Sequence, residues 1–417
     1  MRMNSLIDLP LKNGGLMSRM VEQHREPEFE LMICCSRRVI SAATARRIVT
    51  LLHSELDWGR LVAIAESHGV MPLVHRGLMQ IDSELVNSCS MLHMAAKCRE
   101  IAAGNLFLAG ELLRLIKLFQ DNDLAIIPFK GPMLAASAYQ SVALRQFGDL
   151  DILVAEERYR NAKELLSDHG FKLLFDLGWE CHFAKHEVGV GIDLHRRLLP
   201  AMFPFPFDFA TSLRRLEPIQ LFGSETLGLS APDNLLVVCG QLVKDATENK
   251  VRLEQVCDIA ELVSSTDDLD WTGLMDRAKK MGCMRMLSLG VLLAYELLDA
   301  PVPDSVILTM SSDRSAGILV KEIEKQLSDR GGRPSYSRNS FLQRARFHCR
   351  TRERLQDKAF TYCYRGIVWV FGPSENEQRI LPLPEKLRFL HSVLRPFRLL
   401  VKYFLGKYGL NPFRRPL

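Results

Sequence analysis

The spacing of apolar positions changes between Leu124 and Leu199. On either side they recur three and four apart, the period of a helix with one buried face. Within the interval they gather into short runs, the composition of buried strands. Leu124-Ala125-Ile126-Ile127-Pro128-Phe129-Lys130-Gly131 reads as a strand opening into a loop. Asp149-Leu150-Asp151-Ile152-Leu153-Val154 reads as a buried strand with carboxylates at its start, and Val188 to His195 as a third strand. Between the last two, Ala155 to His169 puts Tyr159, Ala162, Leu165 and Leu166 on one stripe. That predicts a helix covering one face of the sheet, as a strand-helix-strand unit demands.

The flanks are helical in pattern. Phe29 to Met79 has Thr44, Asp57 and Ser83 as candidate helix starts, and Met91 to Gln120 reads as one long helix interrupted only mildly by Gly104 and Gly110. Asp57-Trp58, Leu61, Ala65 and Gly69 recur at the same spacing as Asp270-Trp271, Leu274, Ala278 and Gly282. In both copies the acid can cap a helix, Leu and Ala line one face, and the glycine ends it. Pro200 to Pro206 is a Pro/Phe-rich loop, Ala231 to Val263 returns to helix with Pro232 in the first turn, and Asp329 to Pro334 reads as an exposed linker in a polar stretch, Ser311 to Arg354.

The expected organisation is therefore a flexible leader over 1–27, a helical region over 28–121, an α/β core over 122–225, a helical region over 226–310, and a helical or irregular C-terminal region over 311–417. The fold class is α+β: a small mixed-sheet core embedded in a largely helical protein.

Composition changes this picture little. With 417 residues, 47% of them hydrophobic and 25% charged, a sizeable core is available. No apolar run reaches membrane-spanning length, and Asn4 and Asp8 interrupt any signal-peptide core, so a cytoplasmic location is expected. The ten cysteines show no zinc spacing and read as reduced core residues. A net charge of +5 does not itself indicate nucleic acid, and no strongly basic groove adjoins the acids. From Lys386 onward the chain carries lysines and arginines interleaved with aromatics and no acid. That tail is the one segment with the composition for a membrane-surface or nucleic-acid contact; a packed amphipathic helix interrupted by Pro396 has the same pattern.

The chemistry sits in the strands. Asp149 and Asp151, two apart, share a strand face and repel unless a cation lies between them, and a hard divalent ion with oxygen ligands suits that need. Asp193 adds a third carboxylate on a later strand, with His195 on its face. A pair plus a single acid on adjacent strands is what two-metal phosphoryl transfer requires. Lys130 can neutralise a phosphate, and Gly131 lets backbone approach one. Arg145 can either neutralise phosphate or pair with an acid, and His182 and His186 lie on the intervening segment.

These residues resemble the polymerase-β-like nucleotidyltransferases, whose pattern is a small-residue turn, Asp-x-Asp on a strand and a third Asp on a later strand. Lys130-Gly131, Arg145 to Val154 and Ile192 to His195 look most like an uncharacterised bacterial branch of that superfamily. The resemblance implies transfer of a nucleoside monophosphate group from a nucleoside triphosphate to a hydroxyl of an acceptor, whether small molecule, saccharide or protein. It implies magnesium or manganese held by Asp149, Asp151 and Asp193, which are also the catalytic residues, and nucleotide contacts from Lys130, Gly131 and Arg145, with His195 behind the acids. The chain departs from the pattern at the turn, where Lys130-Gly131-Pro132 replaces Gly-Gly or Gly-Ser and the acids follow at a longer distance. Two alternatives stand beside this reading: a metal-dependent glycosyltransferase, which also uses Asp-x-Asp, and a catalytically silent module that binds nucleotide or docks a partner.

Overall fold

The computed structural model describes residues 25–81, 84–203, 205–330 and 341–371, together with position 396. The expected leader up to residue 24, the candidate helix start Ser83, residues 331–340 of the expected linker and the basic tail other than Pro396 lie outside the described residues.

Helix α1 (Pro27–Cys35) opens on a proline, whose missing N–H falls where a helix has no acceptor to offer. Helix α2 (Ala42–Leu52) is capped by Ser41, whose side chain accepts from the Thr44 amide. Thr44, expected as a helix start, is thus inside the first turn, because a serine three residues earlier reaches its amide. Asp57 does cap α3 (Trp58–Ser67), accepting from the Arg60 amide. After α4 (Met71–Met79) comes the long helix α5 (Ser88–Gln120), capped by Asn87. Its 33 residues run about 50 Å, and Gly104 and Gly110 face open space within it.

The expected mixed sheet follows. Strand β1 (Ile126–Phe129), helix α6 (Gly131–Ser137), strand β2 (Leu150–Val154), helix α7 (Tyr159–Asp168) and strands β3 (Lys172–Asp176), β4 (Glu180–Lys185) and β5 (Val190–His195) form a five-stranded sheet in the order β1-β2-β5-β4-β3. Only the central β2–β5 pair is parallel. Alternation gives each strand two destinations. Leu150, Ile152, Val154, Ile192, Leu194, Cys181 and Phe183 pack with Tyr159, Ala162, Leu165 and Leu166 of α7 and with Leu108, Leu112, Leu115 and Phe119 of α5. The opposite face carries Ile127, Phe129 and Leu153, packed with Leu198, Leu229 and Val237, and on this second face sit the acids.

A short α8 (Phe209–Leu213) precedes a hairpin of β6 (Glu217–Leu221) and β7 (Ser224–Gly228), closed by Phe222 and Gly223, both at positive φ as a two-residue I′ turn needs. The hairpin packs on α6 and β1. Helices α9 (Ala231–Thr247), α10 (Leu253–Ser264), α11 (Trp271–Met281) and α12 (Met284–Leu298) then build the larger core with α1–α4. The internal repeat is realised as α3 and α11: Asp270 accepts from the Gly273 amide as Asp57 does from Arg60, and Leu274 and Ala278 are buried like Leu61 and Ala65. Gly69 and Gly282 take φ of 70° and 77°, letting the next helix begin almost at once.

Helix α13 (Asp304–Ser311) leads to α14 (Arg314–Arg330), which runs through the first part of the polar stretch and takes in Asp329 and Arg330, the first two residues of the expected linker. Ala316, Leu319, Val320, Ile323 and Leu327 are buried along α14 at helical spacing, so five small or aliphatic positions suffice to hold a helix that its polar majority conceals. Helices α15 (Phe341–Arg350) and α16 (Leu355–Phe371) complete the described chain. Among the described residues, no helix is long and apolar enough to cross a membrane.

Candidate active site

Register puts the chemistry in one row across the sheet. Phe129 lies opposite Asp151, Asp151 opposite Asp193, Asp193 opposite His182, and His182 opposite Phe175. Residues directly opposite one another share a face, so this row crosses all five strands on the face away from α7. Asp149 lies just before β2 and beside Gly191: a Cβ built on Gly191 would stand 3.8 Å from the Asp149 Cβ and 3.2 Å from His182 Cε1. Glycine at 191 makes room for both side chains.

The contacts are close. Lys130 Nζ donates to Asp151 Oδ1 at 2.9 Å, and His195 Nε2 lies 3.1 Å from the same oxygen. His182 Nδ1 is 2.5 Å from Asp193 Oδ1, with its ring stacked on Phe175. On the far side of His195, Nδ1 stands 3.4 Å from Glu180 Oε2, outside hydrogen-bond geometry. The Phe129 and Trp179 rings confine the His195 imidazole.

These contacts divide the two acids of the pair. Burial, with the neighbouring Asp151 and Asp193 charges added, pushes Asp149 up to about 6. Burial would raise Asp151 too, but Lys130 and His195 outweigh it and hold that carboxyl well below the usual range. The lysine answers in kind: burial alone would lower it, and Asp151 keeps it raised. Asp149 makes no hydrogen bond among the described residues, so its charge lacks a donor.

Ligand atoms of Asp151, Asp193 and His195 all lie within 4.8 Å of one another. Carboxylate oxygens and one imidazole nitrogen suit a divalent cation, and the unrelieved repulsion at Asp149 is what such an ion would remove. The donor set therefore fits a metal.

The acids floor a cleft of about 440 Å³ whose opposite wall is built from α9 and the start of α10. Lys130 and Gly131 line it at the turn into α6, with φ of 51° and 38°. Arg145 also lines it, but its Nε and Nη2 donate to Asp258 of α10 at 2.8 and 2.9 Å, and Tyr139 Oη donates to the same carboxylate at 2.8 Å. Asn105 of α5 anchors the loop from beneath, donating to the carbonyls of Val142 and Arg145. Of the two roles read for Arg145, this structure fills the ion pair.

Sequence reasoning left His182 without a role, and did not single out Glu180, Lys244 or Asp258. For His182 a signal existed: buried Cys181 and Phe183 flank it, and that alternation turns it to the acid face.

Residues 54–299 match a family described as uncharacterised nucleotidyltransferase. The chain belongs to this family. The matched span runs from just before α3 to just after α12, so it takes in the sheet, the cleft and both copies of the repeat. No curated protein and no solved structure matches. For this member of the family the site's geometry thus carries the argument about mechanism.

Proposed function

We propose that this chain moves a nucleoside monophosphate group from a nucleoside triphosphate to an acceptor hydroxyl, releasing pyrophosphate. The observation that carries the reading is the pairing of Asp151 with Asp193 on adjacent parallel strands, with Asp149 beside them in one cleft. Membership of a nucleotidyltransferase family supports it.

Magnesium or manganese held by Asp149, Asp151 and Asp193 would neutralise phosphate charge and make the attacking hydroxyl more acidic. The chain's own residues do the rest. Hydrogen bonding of Asp193 Oδ1 to His182 fixes that carboxylate and leaves Oδ2 to take the acceptor's proton. Lys130 spends one of its three donors on Asp151 and turns the others to phosphate. Gly131 lets backbone approach the nucleotide where a side chain would crowd the Asp149 carbonyl, 3.4 Å from a built Cβ. Arg145 adds positive field from the cleft wall while its pairing with Asp258 sets the loop that carries Asp149.

The test is incubation with the four triphosphates and magnesium, labelled in turn at the α- and γ-phosphate, alone and with cell extract. Transfer of α label to the protein or to an extract component, with γ label leaving as pyrophosphate, is the expected result. Transfer of γ label instead would make the reaction phosphoryl transfer, and no transfer in any combination would reject the reading. Sugar nucleotides run alongside give no transfer if the glycosyltransferase alternative is wrong.

A further inference from the structure

Four cationic side chains line the cleft: Lys130, Arg145, Lys244 and Arg252. Three are committed. Lys130 is hydrogen-bonded to Asp151, Arg145 is held in both arms by Asp258, and Arg252 is paired with Glu254. Lys244 differs. It donates no hydrogen bond among the described residues, and its ion pair with the neighbouring Asp245 is a long one, at 3.5 Å. Its ammonium lies 5.5 Å from the centroid of the Trp179 ring, a contact that places a cation without using any N–H donor.

The placement is firm at both ends. Lys244 projects from α9, whose neighbouring Leu242 and Val243 are fully buried and whose Gln241 donates to the Leu198 carbonyl at 2.7 Å. Trp179 in turn packs against His195, which reaches Asp151. A single aromatic ring thus ties the ammonium on the helical wall to the acid row on the sheet.

We infer that Lys244 grips the polyphosphate of the incoming nucleotide from the helical wall, opposite Lys130 on the sheet. The inference rests on the nucleotidyl-transfer reading and adds to it a second phosphate-binding residue, from a segment outside the strand motifs. The chemistry favours a polyanion: an ammonium with three unused donors, facing a lysine across a cleft floored by acids, suits several phosphate oxygens better than one carboxylate. Trp179 is the holder that keeps the ammonium extended before the ligand arrives.

The experiment is calorimetric binding of tripolyphosphate, nucleoside triphosphate and nucleoside monophosphate, each with magnesium, to the parent, Lys244→Met and Lys244→Arg. Lys244→Met is expected to weaken both polyphosphate ligands by about 10- to 100-fold, the loss of a charge-assisted contact, and to leave monophosphate affinity within about twofold. Lys244→Arg recovers most of the loss, which a purely packing role would not allow. Polyphosphate binding by Lys244→Met equal to the parent, or an equal loss for the monophosphate, overturns the inference and leaves the nucleotidyl-transfer reading standing. A parent that binds neither tripolyphosphate nor any triphosphate overturns both.

Discussion

Replacing Arg145 by methionine is a sharp test of how the site is held. The guanidinium is 9% exposed and its partner Asp258 4%, with two hydrogen bonds between them at 2.8 and 2.9 Å. Methionine leaves the Asp258 carboxylate buried with Tyr139 Oη as its one side-chain donor among the described residues. Removing one partner of a buried pair costs about 3–5 kcal/mol, because the survivor keeps its desolvation penalty and loses its counter-charge. Tyr139 retains its bond, which argues for the lower end, about 3 kcal/mol. Pairing Arg145→Met with Asp258→Leu removes the orphaned charge and should recover most of that loss, since an apolar substitute for a whole buried pair is often neutral. Urea denaturation of the parent, the two single variants and the double variant gives the coupling energy as a cycle. A coupling of about 2 kcal/mol or more is expected; an Arg145→Met variant within about 1 kcal/mol of the parent, or a coupling near zero, would refute the reasoning. Arg145→Lys separates charge from geometry, because one ammonium cannot reproduce the fork.

Three further outcomes follow from the site. Asp149→Asn should stabilise the metal-free protein: its carboxyl is raised from 3.8 to about 6, worth at most about 3 kcal/mol and about 1–2 after allowance for partial exposure. The raised value means the penalty is full above pH 6 and gone below 3.8, so the variant's advantage in melting temperature should fade on acidification, and equal melting at neutral pH without metal would reject it. Lys130 has φ 51° and ψ −146°, a region almost reserved for glycine, so Lys130→Gly should be more stable than Lys130→Ala by about 1 kcal/mol although both lose the Asp151 bond and weaken nucleotide binding; the reverse order would show no strain there. Gly191→Ala pushes on His182 Cε1, 3.2 Å from the new methyl, and is expected to cut transfer at least about tenfold with a small change in melting, whereas unchanged kinetics would free Asp193 from dependence on His182.

How much was legible depended on whether burial left a mark on neighbouring residues. Strands β2 and β5 carry continuous or alternating apolar residues because both faces of the sheet centre are covered, so Asp151 and Asp193 could be placed on strands beforehand, while Asp149, read as a strand residue, falls one position before β2. Strand β3 is exposed at every residue, a free edge with no burial to pattern it, and nothing in Lys172 to Asp176 announced a strand. Without β3 and β4 the partners of His182 could not be named, since Asp193 lies on the next strand and its stacking partner Phe175 on the edge. The partner of Arg145 went unnamed for a different reason: Asp258 lies 113 residues away, and local spacing cannot name a partner brought in by the fold. Lys244 gave no signal because a lone lysine on an amphipathic helix looks like any solvated residue until Trp179 is placed against it.

The arrangement also explains how an apolar sheet tolerates three carboxylates. Leu150, Ile152 and Ile192 are fully buried on the opposite face, so the backbone at the acids cannot drift outward to relieve repulsion. Relief has to come from protonation or from cations. Asp151, the more buried acid, takes both the Lys130 ammonium and the His195 imidazole on one oxygen, and stays charged. Asp193 is held by His182, while Asp149 is left without a donor among the described residues and takes up a proton more readily than an ordinary carboxylate. Two neighbouring aspartates of the same chemistry therefore have different work: one is a permanent negative charge built into the sheet, and the other acquires full charge when a cation comes to share it. A lysine that already neutralises the permanent charge, and has donors to spare, sits where the cleft can exchange part of that neutralisation for the phosphates of a ligand.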